Sequence, residues 1–154
     1  MGIRVVKGNF LCSSRGLLLA PGNGVVRADG NLVMGAGAAK ALAQAYPFLP
    51  RVFGRMARGT PNMGGWHLYG LLIIQVAPGL HAGLFQSKGD WKDRADLSLI
   101  AYSARKLAEW LRDNPRLEAH LAFPGVGLGG LGEEEVLEVL EPILKDLPIT
   151  LYKL

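Results

Sequence analysis

Apolar residues come in short dense runs broken by glycine, proline and asparagine, with helical periodicity between them. Residues 3–6 form a short β-branched run ended by Gly8-Asn9, which predicts a strand. Residues 17–20 are all apolar and stop at Pro21-Gly22-Asn23-Gly24, as a buried strand feeding a loop would. Residues 25–32 read as a connector with a turn at Asp29-Gly30. Ala38, Ala41, Leu42 and Ala45 then recur at helical spacing until Pro47 ends the helix. Residues 47–58 predict a second, less regular helix, and 59–65 a loop. Residues 66–69, 71–77 and 83–87 read as three consecutive strands. Leu71-Leu72-Ile73-Ile74 is apolar on both faces, which predicts a central strand.

Asp96 is placed to cap the next helix, whose core stripe is Leu97, Ile100, Ala104, Leu107 and Leu111. Asn114-Pro115 stops it. Residues 120–123 predict a short buried strand, 124–132 a Gly-rich loop, 133–145 a helix and 149–152 a last strand. Strands and helices mostly alternate over a single domain of residues 1–154. The class is therefore α/β, with a sheet covered on both faces. Ligands of such folds sit outside the carboxyl ends of the strands. Three loops leave from such ends, at residues 21–23, 87–91 and 124–130.

The composition fits this picture. Of 154 residues, 49% are hydrophobic and 19% charged, which excludes a disordered chain. The net charge of +4 favours anionic ligands mildly. Arg51, Arg55 and Arg58 read as the solvated face of a surface helix. One cysteine, Cys12, rules out an internal disulfide and suits a reducing cytoplasm. The first residues lack the apolar core of a signal peptide, and the longest apolar run, 68–85, is broken by glycine and proline rather than spanning a membrane.

Candidate chemistry lies in the loops. Met34-Gly35-Ala36-Gly37 opens a helix whose first turn holds no acidic residue. It is either an anion-binding helix start or a Gly-rich turn before a buried helix. Residues 125–130 satisfy G-x-G-x-x-G, but no strand with an acidic end follows, so a dinucleotide-binding unit is excluded. That loop either wraps a diphosphate with its amides or is a plain turn. His67, His81 and His120 share no metal-ligand spacing with each other or with Cys12, so no metal or cofactor is expected. Lys88 projects from a strand end. It is a phosphate partner, a nucleophile or a solvated lysine.

Taken together, these loops resemble the macrodomain family, nearly end to end. The resemblance rests on Lys7-Gly8-Asn9-Phe10, Leu19-Ala20-Pro21-Gly22-Asn23, Val33-Met34-Gly35-Ala36-Gly37, Phe85-Gln86-Ser87-Lys88 with Trp91, and Pro124-Gly125-Val126-Gly127-Leu128-Gly129-Gly130-Leu131. The similar branch contains the DNA ADP-ribosyl glycohydrolase antitoxin and the terminal ADP-ribose glycohydrolase. The resemblance implies a three-layer α/β/α sandwich with a central mixed sheet and ADP-ribose in a cleft. It implies that Asn9 recognises the adenine amino group and that Asn23 faces the distal ribose. Val33, Met34, Gly35, Ala36 and Gly37, and opposite them Gly125, Val126, Gly127, Leu128, Gly129 and Gly130, would clasp the diphosphate. Lys88 would be catalytic. The chain departs from the branch at Gly89-Asp90, where Arg-His stands, and at Gly129, where a catalytic Asp stands in the human enzyme. Asp29 in the first ligand loop is the substitute acid, although Asp-Gly is also an ordinary turn.

The implied activity is cleavage of the glycosidic link of ADP-ribosylated nucleic acid or protein. The alternatives are an ADP-ribose reader without turnover and a hydrolase of a small derivative such as ADP-ribose 1″-phosphate.

Overall fold

The computed structural model describes residues 3–154. The strands are β1 (Arg4–Lys7), β2 (Gly16–Gly22), β3 (Leu71–Ala77), β4 (Leu80–Gln86), β5 (Ala119–Ala122) and β6 (Ile149–Lys153). The helices are α1 (Gly37–Ala45), α2 (Leu49–Arg58), α3 (Leu97–Asp113) and α4 (Glu133–Leu144). One six-stranded sheet has the order β1-β6-β5-β2-β4-β3. Every neighbouring pair is parallel except β3 with β4, which is antiparallel. The sheet is mixed, as the family resemblance implies.

β2 shows why the sequence makes three layers. Successive side chains of a strand point to opposite faces. Leu17 and Leu19 enter the core beneath α3 and α4, with Ile100, Leu107, Val136 and Leu140. Leu18 and Ala20 enter the core beneath α1 and α2, with Leu42, Leu49, Phe53 and Ala57. Both faces are buried, so the strand is apolar throughout.

Two expectations need correction. Residues 71–74 do not form a central strand: β3 is the sheet edge. Leu71 and Ile73 pack on one core and Leu72 and Ile74 on the other. An apolar pattern on both faces reports cover from the two helical layers. It carries no information about neighbours in the hydrogen-bonding direction. Residues 66–69 are not a strand either. They hold one isolated bridge, Asn62 with His67. Loop backbone satisfies some of their groups, with His67 N donating to Gly24 O and Leu68 N to Pro61 O, and a side chain satisfies others: Gln86 Oε1 accepts from the Tyr69 and Gly70 amides, both at 2.9 Å, and Gln86 Nε2 donates to the His67 carbonyl at 2.8 Å.

Asp96 caps α3 as the pattern predicts. Its Oδ1 accepts from Ser98 N at 2.8 Å, Leu99 N at 3.3 Å and Ser98 Oγ at 2.6 Å. The Ser98 hydroxyl bond, with the backbone bonds behind it, holds the carboxyl below its usual range against a smaller desolvation effect. Asp96→Ala is expected to cost about 1 kcal/mol of stability at neutral pH. The native-state pKa lies below the unfolded one, so the contribution is full above about pH 4–5 and is lost as pH falls through the native value. Thermal melts of both proteins from neutral to acid pH check this: the gap in Tm should close in acid, and a gap that persists there would remove charge from the cap. No helix among the described residues is long and apolar enough to cross a membrane.

Candidate functional site

The parallel strands β1, β2, β4, β5 and β6 send their carboxyl ends to one edge of the sheet. The loops after them are stitched to one another there. Gly24 N donates to Gly89 O at 2.7 Å, and Ser87 N to Gly22 O at 3.0 Å, joining the loop after β2 to the loop after β4. Ala95 N donates to Gly129 O at 2.9 Å and Arg94 Nη2 to Gly130 O at 2.7 Å, joining the loop after β4 to the loop after β5.

Asn23 sits at the end of β2 and is nearly fully buried. Its Nδ2 donates to Val33 O and its Oδ1 accepts from Val25 N, both at 3.0 Å. The side chain therefore fixes residue 33, and with it the start of the 33–37 loop, to the strand end. The Tyr69 hydroxyl donates to Asn23 O at 2.7 Å, and complete burial pushes that phenol's pKa far up, so it stays a neutral donor.

Val33 and Met34 are buried, whereas Gly35, Ala36 and Gly37 are exposed. Gly37 has φ of 57°, and a side chain at Gly35 or Gly37 would enter open space. Ala36 caps α1 with no side-chain hydrogen bond, and the first turn holds no acidic residue. The first amides of α1 thus present uncompensated partial positive charge to open space.

The 125–131 loop is closed by Leu131 N donating to Gly125 O at 2.8 Å. Gly125 is wedged against Ile100 and Leu131, whereas Gly127 faces open space and Leu128 is exposed. Val126 is half-buried and packs on the α3–α4 core. Gly129 is buried, and a Cβ there would lie 3.0 Å from that of Ala95. An aspartate at this position would need Ala95 to give way by a few tenths of an ångström.

Lys88 follows Ser87 directly at the mouth of β4 and is half-buried; its Nζ donates to Trp91 O at 3.2 Å. Asn9 is exposed at the end of β1, with its Oδ1 accepting from Leu11 N at 2.9 Å to cap a 3₁₀ turn. Among the described residues its Nδ2 has no hydrogen-bond partner. Phe10 beside it packs with Met34 and Leu42, which brings the Asn9 turn to the α1 side of the sheet. Asp29 lies in a surface turn, with its Oδ1 accepting from Asn31 N at 2.9 Å. It shares a shallow hollow of about 210 Å³ with Arg27, Met34, Gly35 and Pro50. No hydrogen bond or ion pair joins Asp29 to Lys88.

Three contributors were not singled out from sequence. Gln86, fully buried, ties residues 67–70 to the end of β4. It is signalled only by being the one polar residue ending an apolar strand. Arg94 holds the second glycine loop and carries no sequence signal. Trp66 fills the space a side chain at Gly89 would need, which accounts for glycine where the branch has arginine. Trp66, Gly89 and Arg94 also line a cavity of about 490 Å³ with Tyr102 and Arg105. Among the described residues no group of His, Cys, Asp or Glu could hold a metal ion.

No family model matches the chain, and no curated protein matches it. Solved structures do. The macrodomain of Mycobacterium tuberculosis DarG aligns with a TM-score of 0.79 at 22% identity, over 99% of this chain and 97% of that one. The chain has the macrodomain fold. The macrodomain of Thermus aquaticus DarG follows at 0.76 and 22%, over 97% of this chain and 95% of that one. Thermosipho africanus DarTG in complex with ADP-ribose aligns at 0.76 and 20%, over 99% of this chain but 43% of that longer one. At these identities the likeness to those macrodomains is one of fold.

Proposed function

We propose that the cleft among the 23–37, 87–96 and 125–131 loops binds ADP-ribose, and that the protein hydrolyses the glycosidic link of ADP-ribosylated nucleic acid or protein. One observation carries the reading. Two loops with exposed, positive-φ glycines, Gly37 on one side and Gly127 and Gly130 on the other, leave the same sheet edge that bears Lys88. Glycine amides and a bare helix start suit a diphosphate, because they offer donors without side chains in the way. The ADP-ribose complex of the Thermosipho africanus neighbour supports the same ligand. The bond from the anomeric carbon to the leaving oxygen or nitrogen breaks, and water supplies hydroxyl to the sugar and a proton to the leaving atom. Lys88 acts at that carbon. Asn9 takes the adenine end, with Asn23 and Asp29 on the ribose side. A reducing cytoplasm suits the exposed, free Cys12.

Calorimetry and thermal melts test the binding. ADP-ribose at 100 Kd should stabilise the fold by about 2.7 kcal/mol. AMP should do less, because it fills only the adenosine end, and Asn9→Ala should weaken ADP-ribose by about 1–2 kcal/mol. NAD stabilising as well as ADP-ribose would rule the cleft out. Release of ADP-ribose from ADP-ribosylated oligonucleotide and protein tests the turnover. The second reading is a reader without turnover. It draws on the crowded seat of Gly129 and on an Asp29 bound within its own turn. Tight binding with no release from any substrate would establish it.

A further inference from the structure

The thirteen acidic residues of the chain include one, Asp29, before Asp90. The fold converts this asymmetry along the sequence into an asymmetry across the sheet. α1 and α2, on one face, carry Lys40, Arg51, Arg55 and Arg58 and no acidic residue. α3 and α4, on the other face, carry Arg105, Lys106 and Arg112 against seven acidic residues.

On α2 the arginines fall at i, i+4 and i+7, so they share one face over about 10 Å. All three are exposed, and among the described residues none makes an ion pair. The helix dipole favours Arg55 and Arg58, which stand in the last turn, but two features oppose the arrangement. Like charges three and four apart repel. Arg51 also stands in the first turn, at the positive end of the dipole, and no acid offsets it. The stripe leads to the candidate cleft. Gly54 has no side chain, so α2 lies with its backbone against Gly30, in the turn that carries Asp29. Arg58 Nη2 donates to Arg27 O at 3.3 Å, which sets a fourth exposed arginine beside that turn. Phe48, three residues before Arg51, is 49% exposed and held edge-on by Tyr46.

We propose that Arg51, Arg55 and Arg58, with Arg27 and Phe48, form a docking surface for the phosphodiester backbone of a single-stranded nucleic acid whose modified end enters the cleft. This rests on the function proposed above and selects nucleic acid from its two substrate classes. Guanidinium forks match phosphate oxygens. An exposed aromatic ring among them gives a base a face to stack on, which an acidic peptide would not use.

The test is fluorescence anisotropy with a labelled, unmodified single-stranded deoxyoligonucleotide, read as Kd against salt. In the triple variant Arg51→Gln, Arg55→Gln, Arg58→Gln, the slope of log Kd on log salt should flatten by about 2, since each lost phosphate contact removes about 0.7. Phe48→Ala should weaken binding and leave the slope alone. A matched variant of the other face, Arg105→Gln, Lys106→Gln, Arg112→Gln, should bind as the parent does. Equal loss in that variant, an unchanged slope in the first, or equal competition by polyglutamate would overturn the proposal. Calorimetry with ADP-ribose alone keeps the two ideas apart. The α2 variant should bind it normally, and a parent protein that ignores ADP-ribose while its oligonucleotide affinity follows the arginines sinks the cleft and not the surface.

Discussion

Lys88→Ala is expected to lower kcat on an ADP-ribosylated substrate by about 10²–10⁴-fold, the range for loss of a positioned proton-transfer or nucleophilic group. The Kd for ADP-ribose should move little. That split marks an interaction made mainly in the transition state. The fold should tolerate the change. Lys88 Nζ holds only the Trp91 carbonyl, at 3.2 Å, and water replaces that donor, because Trp91 is 49% exposed. The loop keeps its backbone ties, including Ser87 N to Gly22 O and Gly24 N to Gly89 O. A lysine that only pairs with phosphate gives the opposite result: weaker binding, with kcat at saturation intact. Measuring both constants on the single variant separates the two roles.

Gln86→Ala is expected to be the most destabilising polar substitution near the site. Its side chain satisfies the Tyr69 and Gly70 amides and the His67 carbonyl, and it touches the Lys88 carbonyl at 3.4 Å. Gln86 is fully buried, so water does not replace it. Each buried backbone group left without a partner costs about 1–3 kcal/mol, which places the total near 3–5 kcal/mol. For a domain of this size that lowers Tm by roughly 10 °C. The main-chain bonds of residue 86, its N–H donating to Gly70 O and its carbonyl accepting from Ser103 Oγ, survive the change and localise the loss to the 66–70 segment. Gln86→Glu keeps the one acceptor oxygen for the two amides but turns a second carboxylate oxygen toward the His67 carbonyl, so it should be destabilising too. A Tm within 2 °C of the parent for Gln86→Ala, allowing about 2–4 °C per kcal/mol, would show that the segment repacks.

Much of the candidate site was legible because its signals are local. Glycines at 35, 37, 125, 127 and 130 mark where the backbone turns, and four of them have positive φ. Asp96 was readable as a cap because a cap acts within three residues. Gln86 and Arg94 were not readable in the same way. Their partners lie 16–19 residues away for the Gln86 contacts to residues 67–70, and 36 away for Arg94 with Gly130. Gly89 was not readable either, because Trp66, which occupies the space a side chain there would need, lies 23 residues away.

The sequence by itself determined all the strands and helices but for the false strand at 66–69, where most of them stop, and which strand ends carry loops. Those features depend on periodicity, on proline and glycine, and on capping groups close by in the chain. Only the tertiary structure decided that β3 is an edge strand, since face cover and strand neighbours are independent directions. It also decided that Arg27 stands beside the arginines of α2, on one side of the molecule. Layer assignment follows from which core a helix packs on, and that is settled by contacts between residues far apart in sequence.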